Sequence, residues 1–421
     1  MNHNAFYAQS GGVTAVINAS AAGVLEAARR HPETINKVYA GRDGILGALT
    51  EDLLDISQES PAALAGLIHT PAGAFGSCRY KLKSLEEHRA QYERLIEVFK
   101  AHDIRYFFYN GGGDSQDTAY KVSQLSEQLD FPITCVGVPK TIDNDLPFTD
   151  TCPGFGSVAK YAAISMLEAS FDVASMCRTS TKVFVMEVMG RHAGWIAAAT
   201  GLACDERGLG PDVILLPEVR LDEEAFLARV TQAVATKGFC MVAVSEGVKN
   251  AAGEFLSVSG VKDAFGHAQL GGVAPVIVEL IKRRLGHKCH WAVCDYLQRS
   301  ARHIASQTDV DQAYALGQAA VELAVKGKRS VMPIIKRVSD APYRWEIDAV
   351  SLADVANVER KMPAEFIRDD GMGITPVCRA YLAPLIEGEA YPPYENGLPA
   401  YTCLQKISVP KKLSNIFDTG F

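Results

Sequence analysis

The sequence predicts an α/β protein of doubly wound type, with mostly parallel sheets. Two observations lead there. Short apolar runs alternate with longer amphipathic stretches up to about residue 250, the pattern of successive βαβ units. Glycine-rich or turn-forming clusters follow three of the apolar runs directly. In open parallel sheets that is where ligands sit, at the carboxyl ends of the strands.

The elements follow in order. Strands are expected at Phe6–Ala8, Lys37–Ala40, Tyr106–Tyr109, Ile133–Val138, Val183–Val188, Val213–Leu216 and Cys240–Val244. Between them, helical periodicity covers Val16–Arg30, Glu86–His102, Ser115–Gln128, Val158–Ala174, Trp195–Leu202 and Glu223–Lys237. Beyond about residue 305 come a helix, Asp309–Lys326, a β-like run, Ser330–Val338, and an irregular tail rich in Pro, Tyr and Gly. No repeat, low-complexity tract or clean linker interrupts this order.

Composition bounds the function. With 421 residues, 48% hydrophobic and 22% charged, the chain is long enough for two or three domains with their own cores. A net charge of −7 and a pI near 5.9 give no bulk attraction for nucleic acid or an anionic membrane. A site for anions must be local. No apolar run approaches the ~18 residues of a membrane span, and the amino terminus lacks the basic-then-apolar order of a secretory leader. Ten scattered cysteines, none in a CxxC pair, point to a reduced, cytoplasmic protein.

The first cluster, Gln9-Ser10-Gly11-Gly12, lies between a strand and a helix. Glycines there let backbone N–H groups approach a phosphate at a helix N-terminus; a plain strand–helix turn is the alternative. The second, Asn110-Gly111-Gly112-Gly113-Asp114-Ser115, joins three glycines to a carboxylate. That carboxylate would repel phosphate unless a cation intervenes, and Mg²⁺ shared between carboxylate and phosphate oxygens is the usual solution. Asp114 as a helix cap is the alternative. The third is Pro139-Lys140-Thr141-Ile142-Asp143-Asn144-Asp145, with a cation, a hydroxyl and two carboxylates. A carboxylate beside a hydroxyl can take its proton as it attacks phosphorus; a self-capping turn is the alternative.

Taken with Glu187-Val188-Met189-Gly190-Arg191, these segments resemble the phosphofructokinases in order and spacing, from about residue 5 to about residue 340. The resemblance implies two Rossmann-like domains with the active site in the cleft between them, and phosphoryl transfer to the 1-hydroxyl of fructose 6-phosphate. It implies an amino-terminal domain over 1–150 on the donor side, completed by part of 300–345, and a sugar-phosphate domain over 151–300. Residues 301–421 are then a helix returning to the first domain and an extension without an assigned role. Asp143 takes the place of the general base, flanked by Thr141, Ile142 and Asp145. Met189, Gly190, Arg191, Glu246, Tyr296, Leu297, Gln298 and Arg299 match the sugar-phosphate segments. Gly11, Gly12, Arg79, Gly112, Gly113 and Ser115 match the donor side. Lys182 stands where the ATP enzymes place an arginine that reaches a neighbouring subunit's substrate, so a homodimer or homotetramer is implied.

Two positions depart from the ATP pattern, which reads Gly-Gly-Asp-Gly-Ser and Pro-Gly-Thr-Ile-Asp-Asn-Asp. Asp114 and Lys140 replace glycines there and look like the pyrophosphate-dependent branch. Asp114 would occupy the room that a nucleotide's α-phosphate and ribose need, and Lys140 adds a cation where charge accumulates on the leaving phosphate. Gly113 stands where many members bind metal through aspartate, so Mg²⁺ is assigned to Asp114 with Gly113 beside it. Ala22 and Glu26 replace the effector-binding arginines of the bacterial ATP enzymes, which implies a non-allosteric enzyme. The competing readings are an ATP-dependent 6-phosphofructokinase, an NAD-kinase-like or lipid-kinase-like protein, and a non-catalytic regulatory subunit of the same fold.

Overall fold

The computed structural model describes residues 2–256 and 272–419. In chain order, strands β1 (His3–Gln9), β2 (Ile35–Gly41), β3 (Leu53–Asp55), β4 (Ile104–Gly111) and β5 (Thr134–Pro139) belong to one sheet. Strands β6 (Val183–Val188), β7 (Val213–Leu215), β8 (Cys240–Ser245) and β9 (Cys289–Val293) form a second. The chain then returns to the first sheet with β10 (Val331–Asp340) and β11 (Tyr343–Ser351). The orders are β11-β10-β5-β4-β1-β2-β3 and β7-β8-β6-β9. Within these two sheets the pairings are parallel except β2 with β3 and β10 with β11. The fold is therefore α/β with mostly parallel sheets.

Each sheet carries a buried core on both faces of its central strands, to which successive side chains contribute alternately because they point to opposite sides. In the first sheet, Phe6, Phe107 and Tyr109 pack with Phe99 of the helix Arg89–Ala101. Their neighbours Tyr7 and Phe108 pack on the other face with Ala21 and Val24 of the helix Ile17–Arg29 and Val321 of the helix Gln307–Val325. The second sheet divides likewise between Met186 and Val188 on one face and Val183 and Val185 on the other. Each such fully buried side chain stabilises the fold by roughly 1.5–3 kcal/mol.

The helices Ile17–Arg29 and Gln307–Val325 touch through glycine. A Cβ on Gly23 would fall 2.1 Å from the Tyr314 carbonyl oxygen, and one on Gly317 would fall 2.1 Å from that of Ser20. Glu26, on the same helix, accepts hydrogen bonds from Tyr314 and from Arg30.

The segment after β11 is not a loose tail. Leu352 and Val355 enter the first core, and Cys378 and Leu382 enter the second. The chain then runs back along the first sheet, where the Val409 N–H donates to the Leu53 carbonyl at 2.8 Å. Buried Glu51 accepts the N–H groups of Lys412 and Leu413 and pairs with His102 at 2.7 Å. The expected helix Trp195–Leu202 tightens after Ala199 into a 3₁₀ turn, Thr200–Ala203.

Candidate active site

Register places the site. Gln9 of β1 pairs with Asn110 of β4, and Asn110 pairs with Val138 of β5. Three strands thus end level, and the segments after them form one wall. Glu187 of β6 pairs with Val244 of β8 and Val293 of β9, so the segments after those strands form the other. A cavity of about 890 Å³ lies between the walls.

The first wall supplies Gly12, Arg79, Gly112, Asp114, Lys140, Thr141, Ile142, Asp143 and Asp145 to the lining. Lys140 is almost wholly buried and donates to the Gly12 carbonyl at 2.7 Å. Burial pulls its ammonium down to about 8, against the opposing attraction of Asp143. A Cβ on Gly12 would lie 2.7 Å from a guanidinium nitrogen of Arg299, so glycine keeps this end open to cations from both walls. Burial raises the Asp143 carboxyl above the ordinary carboxylate range, helped by the like charge of Glu246. Asp145 is raised too, by burial and then by Asp143. The Thr141 hydroxyl accepts the Asp143 N–H at 3.1 Å, tying the turn together.

The second wall supplies Met189, Arg191, Glu246, Tyr296, Gln298 and Arg299. Glu246 accepts the Gly190 N–H at 3.3 Å, and buried Gln298 accepts the Met189 N–H at 3.3 Å. Arg299 lies 3.7 Å from the centre of the Tyr296 ring, a cation–π contact that aims the guanidinium. Each wall thus brings both cations and carboxylates to one cavity: Arg79 and Lys140 beside Asp114, Asp143 and Asp145 on the first, Arg191 and Arg299 beside Glu246 on the second. That layout suits a polyanion bound beside a proton-accepting carboxylate.

Several expected residues fall elsewhere. Lys182 sits at the amino end of β6, about 20 Å of strand from Met189 at ~3.3 Å per residue, and donates to the Cys177 carbonyl. It is not part of this chain's cavity. Leu297 is 65% exposed and is not among the residues that line the cavity. Ser115 is buried and donates to the Ser10 hydroxyl at 2.8 Å, so it braces the two glycine turns behind the wall. Gly11 and Gly113 are part-exposed beside lining residues, a Cβ on Gly11 falling 3.4 Å from Lys140 Nζ, whereas Gly190 is buried next to Met189 and Arg191.

The metal expectation rests on one carboxylate. Gly113 has no side chain, and among the described residues no three His, Cys, Asp or Glu side chains group to hold a metal ion. Asp114 does line the cavity. One carboxylate completed by phosphate oxygens and water is an ordinary Mg²⁺ arrangement, so the residues fit a metal that arrives with an anionic substrate.

The sequence reading missed Glu359, Arg360 and Lys361, which reach the cavity from the carboxy-terminal segment, and also His192, Glu187 and Asp295. His192 pairs with Glu359 at 3.1 Å. Glu187 carried a readable signal, a carboxylate inside an apolar strand; it accepts the N–H groups of Gly272 and Ala274.

The family model described as Phosphofructokinase matches residues 4–324. The chain is 69% identical over 415 residues, 99% of each chain, to the pyrophosphate--fructose 6-phosphate 1-phosphotransferase of Methylococcus capsulatus. It is 66% identical over 411 residues, 98% of each, to the protein of the same name from Halomonas elongata. Among solved structures, the pyrophosphate-dependent phosphofructokinase from Nitrosospira multiformis superposes with a TM-score of 0.92 at 63% identity, covering 99% of this chain and 100% of that one.

Proposed function

The chain belongs to the phosphofructokinase family, and we propose that its cavity transfers a phosphoryl group reversibly between pyrophosphate and the 1-hydroxyl of fructose 6-phosphate. The products are fructose 1,6-bisphosphate and phosphate. The observation that carries this reading is Lys140, a buried cation at the end of β5, lining the same cavity as Asp143. Asp143 takes the proton from the sugar hydroxyl as its oxygen bonds to the nearer phosphorus and the bridging P–O bond breaks. The departing phosphate gains charge, which Lys140 and Arg79 stabilise where it develops. Arg191 and Arg299 bind the sugar's phosphate, and Glu246 its hydroxyls. Asp114, together with the donor's own oxygens, would hold a Mg²⁺ ion, which would supply neutralising charge. Asp114 carries a side chain where the ATP pattern has glycine, and relatives 69% and 66% identical are named pyrophosphate--fructose 6-phosphate 1-phosphotransferase, so an ATP-dependent reaction is not favoured. The setting is cytoplasmic and the enzyme a non-allosteric homodimer or homotetramer, with Lys182 facing a neighbouring copy and Glu26 engaged by Tyr314 and Arg30 in place of an effector.

The test is a steady-state assay with fructose 6-phosphate, Mg²⁺ and either donor. Turnover is expected with pyrophosphate in both directions and little with ATP. Faster turnover with ATP at saturation would reverse the donor assignment.

A further inference from the structure

The loop that carries Asp143 and Asp145 is held from the far end of the chain. Asn144 and Phe148 have φ of 54° and 67°, a region that residues with side chains adopt rarely and keep only when their surroundings hold them there. Arg360 does much of that holding. Its backbone N–H donates to the Asp145 carbonyl at 2.6 Å. Nε and Nη2 donate to the Asn144 carbonyl at 3.1 and 2.8 Å. Nη1 donates to the carbonyls of Thr149 and Asp150 at 2.5 and 2.8 Å. The guanidinium carbon lies 5.0 Å from the centre of the Trp195 ring, which is buried in the second core. A planar fork can serve three carbonyls at once, whereas an ammonium cannot reproduce that geometry. Tyr381 adds a second tie, accepting from the Asn144 amide at 3.2 Å and donating to the Asp150 carbonyl at 2.5 Å. Residues 360 and 381 both lie beyond residue 324, where the match to the family model ends.

We propose that Arg360 is a positioning residue for phosphoryl transfer, fixing the 143–150 loop so that the Asp143 carboxylate meets the sugar hydroxyl. The carboxy-terminal segment is then part of the working site. This rests on Asp143 being the base. Arg360 also borders the cavity, so it could instead touch substrate, and the kinetics separate the two roles. A positioning defect lowers kcat, because a displacement of ~1 Å in a reacting group costs about 10²-fold. A lost substrate contact raises KM.

The experiment measures kcat and both KM values with pyrophosphate and fructose 6-phosphate for wild type, Asp143→Asn, Arg360→Met and Arg360→Lys, with a melting curve for each. Arg360→Met should lower kcat about 10²-fold with both KM values within about threefold. Arg360→Lys should recover part of that loss, staying about tenfold below wild type. If the methionine variant does not fold, the lysine variant carries the test. Wild-type kcat in either folded variant, or a loss expressed mainly as KM for the sugar, overturns the proposal. An inactive wild type, or full turnover in Asp143→Asn, removes the base assignment itself and is recognised without reference to the Arg360 variants.

Discussion

The Nζ of Lys81 lies 2.7 Å from Oδ1 of Asp114. This cavity-lining carboxylate is therefore partly neutralised. Of the two ways Asp114 could turn away a nucleotide, like-charge repulsion is weakened by this pair, and the volume of the side chain is not.

Asp114→Gly should therefore admit ATP at a measurable rate while pyrophosphate activity falls, and Asp114→Asn, with the same volume and no charge, should still refuse ATP. Donor-swap kinetics on the two variants decide this. An asparagine variant that uses ATP as well as the glycine variant would make charge the determinant.

Lys140→Met should cut kcat with pyrophosphate by roughly 10²–10³-fold, the scale of removing a charge-stabilising group from a transition state. It should not by itself permit ATP. Combined with Asp114→Gly, the effects should fail to add, because both residues face one ligand. Additive losses within error would separate their sites.

The pH profile of kcat/KM for the free enzyme should be bell-shaped. The base must be ionised, and burial raises the Asp143 carboxyl; activity is thus lost on acidification at a higher pH than an ordinary carboxylate would give. Lys140 must be charged, and burial lowers it to about 8; activity is thus lost as pH rises past that value. Lys140→Met should lack the alkaline limb. An unchanged alkaline limb in that variant assigns the limb to another group.

Arg299→Ala should raise KM for fructose 6-phosphate far more than KM for pyrophosphate, by about 10–10²-fold for a charge-assisted contact of ~1.5–3 kcal/mol. Equal changes in both constants would place Arg299 between the substrates rather than on the sugar.

Gly317→Ala should destabilise the fold by roughly 1–3 kcal/mol, because its Cβ would meet the Ser20 carbonyl oxygen 2.1 Å away. Thermal melting reads this directly. A melting temperature equal to wild type would mean that the two helices separate at no cost.

Much of the fold lay in local pattern. β6 has the bounds that apolar periodicity gave it, Val183–Val188, and the clusters after β1, β4 and β5 stood out because glycine and paired charge are unusual directly after buried strands. The short β3, the exposed edge strand β9 and the partly charged β11 were not legible. Each is defined by the neighbour it pairs with rather than by its own periodicity.

The sequence by itself determined the strand–helix order, the glycine turns and the chemical types gathered at the strand ends, because these depend on residues near one another in the chain. Only the tertiary structure decided which groups share the cavity. It set Lys182 at the end of its strand away from this chain's cavity, placed Ser115 against Ser10, paired Lys81 with Asp114 and brought Glu359, Arg360 and Lys361 back to a loop more than two hundred residues earlier. Local periodicity carries no information about such returns, which are fixed by the packing of the carboxy-terminal segment into both cores.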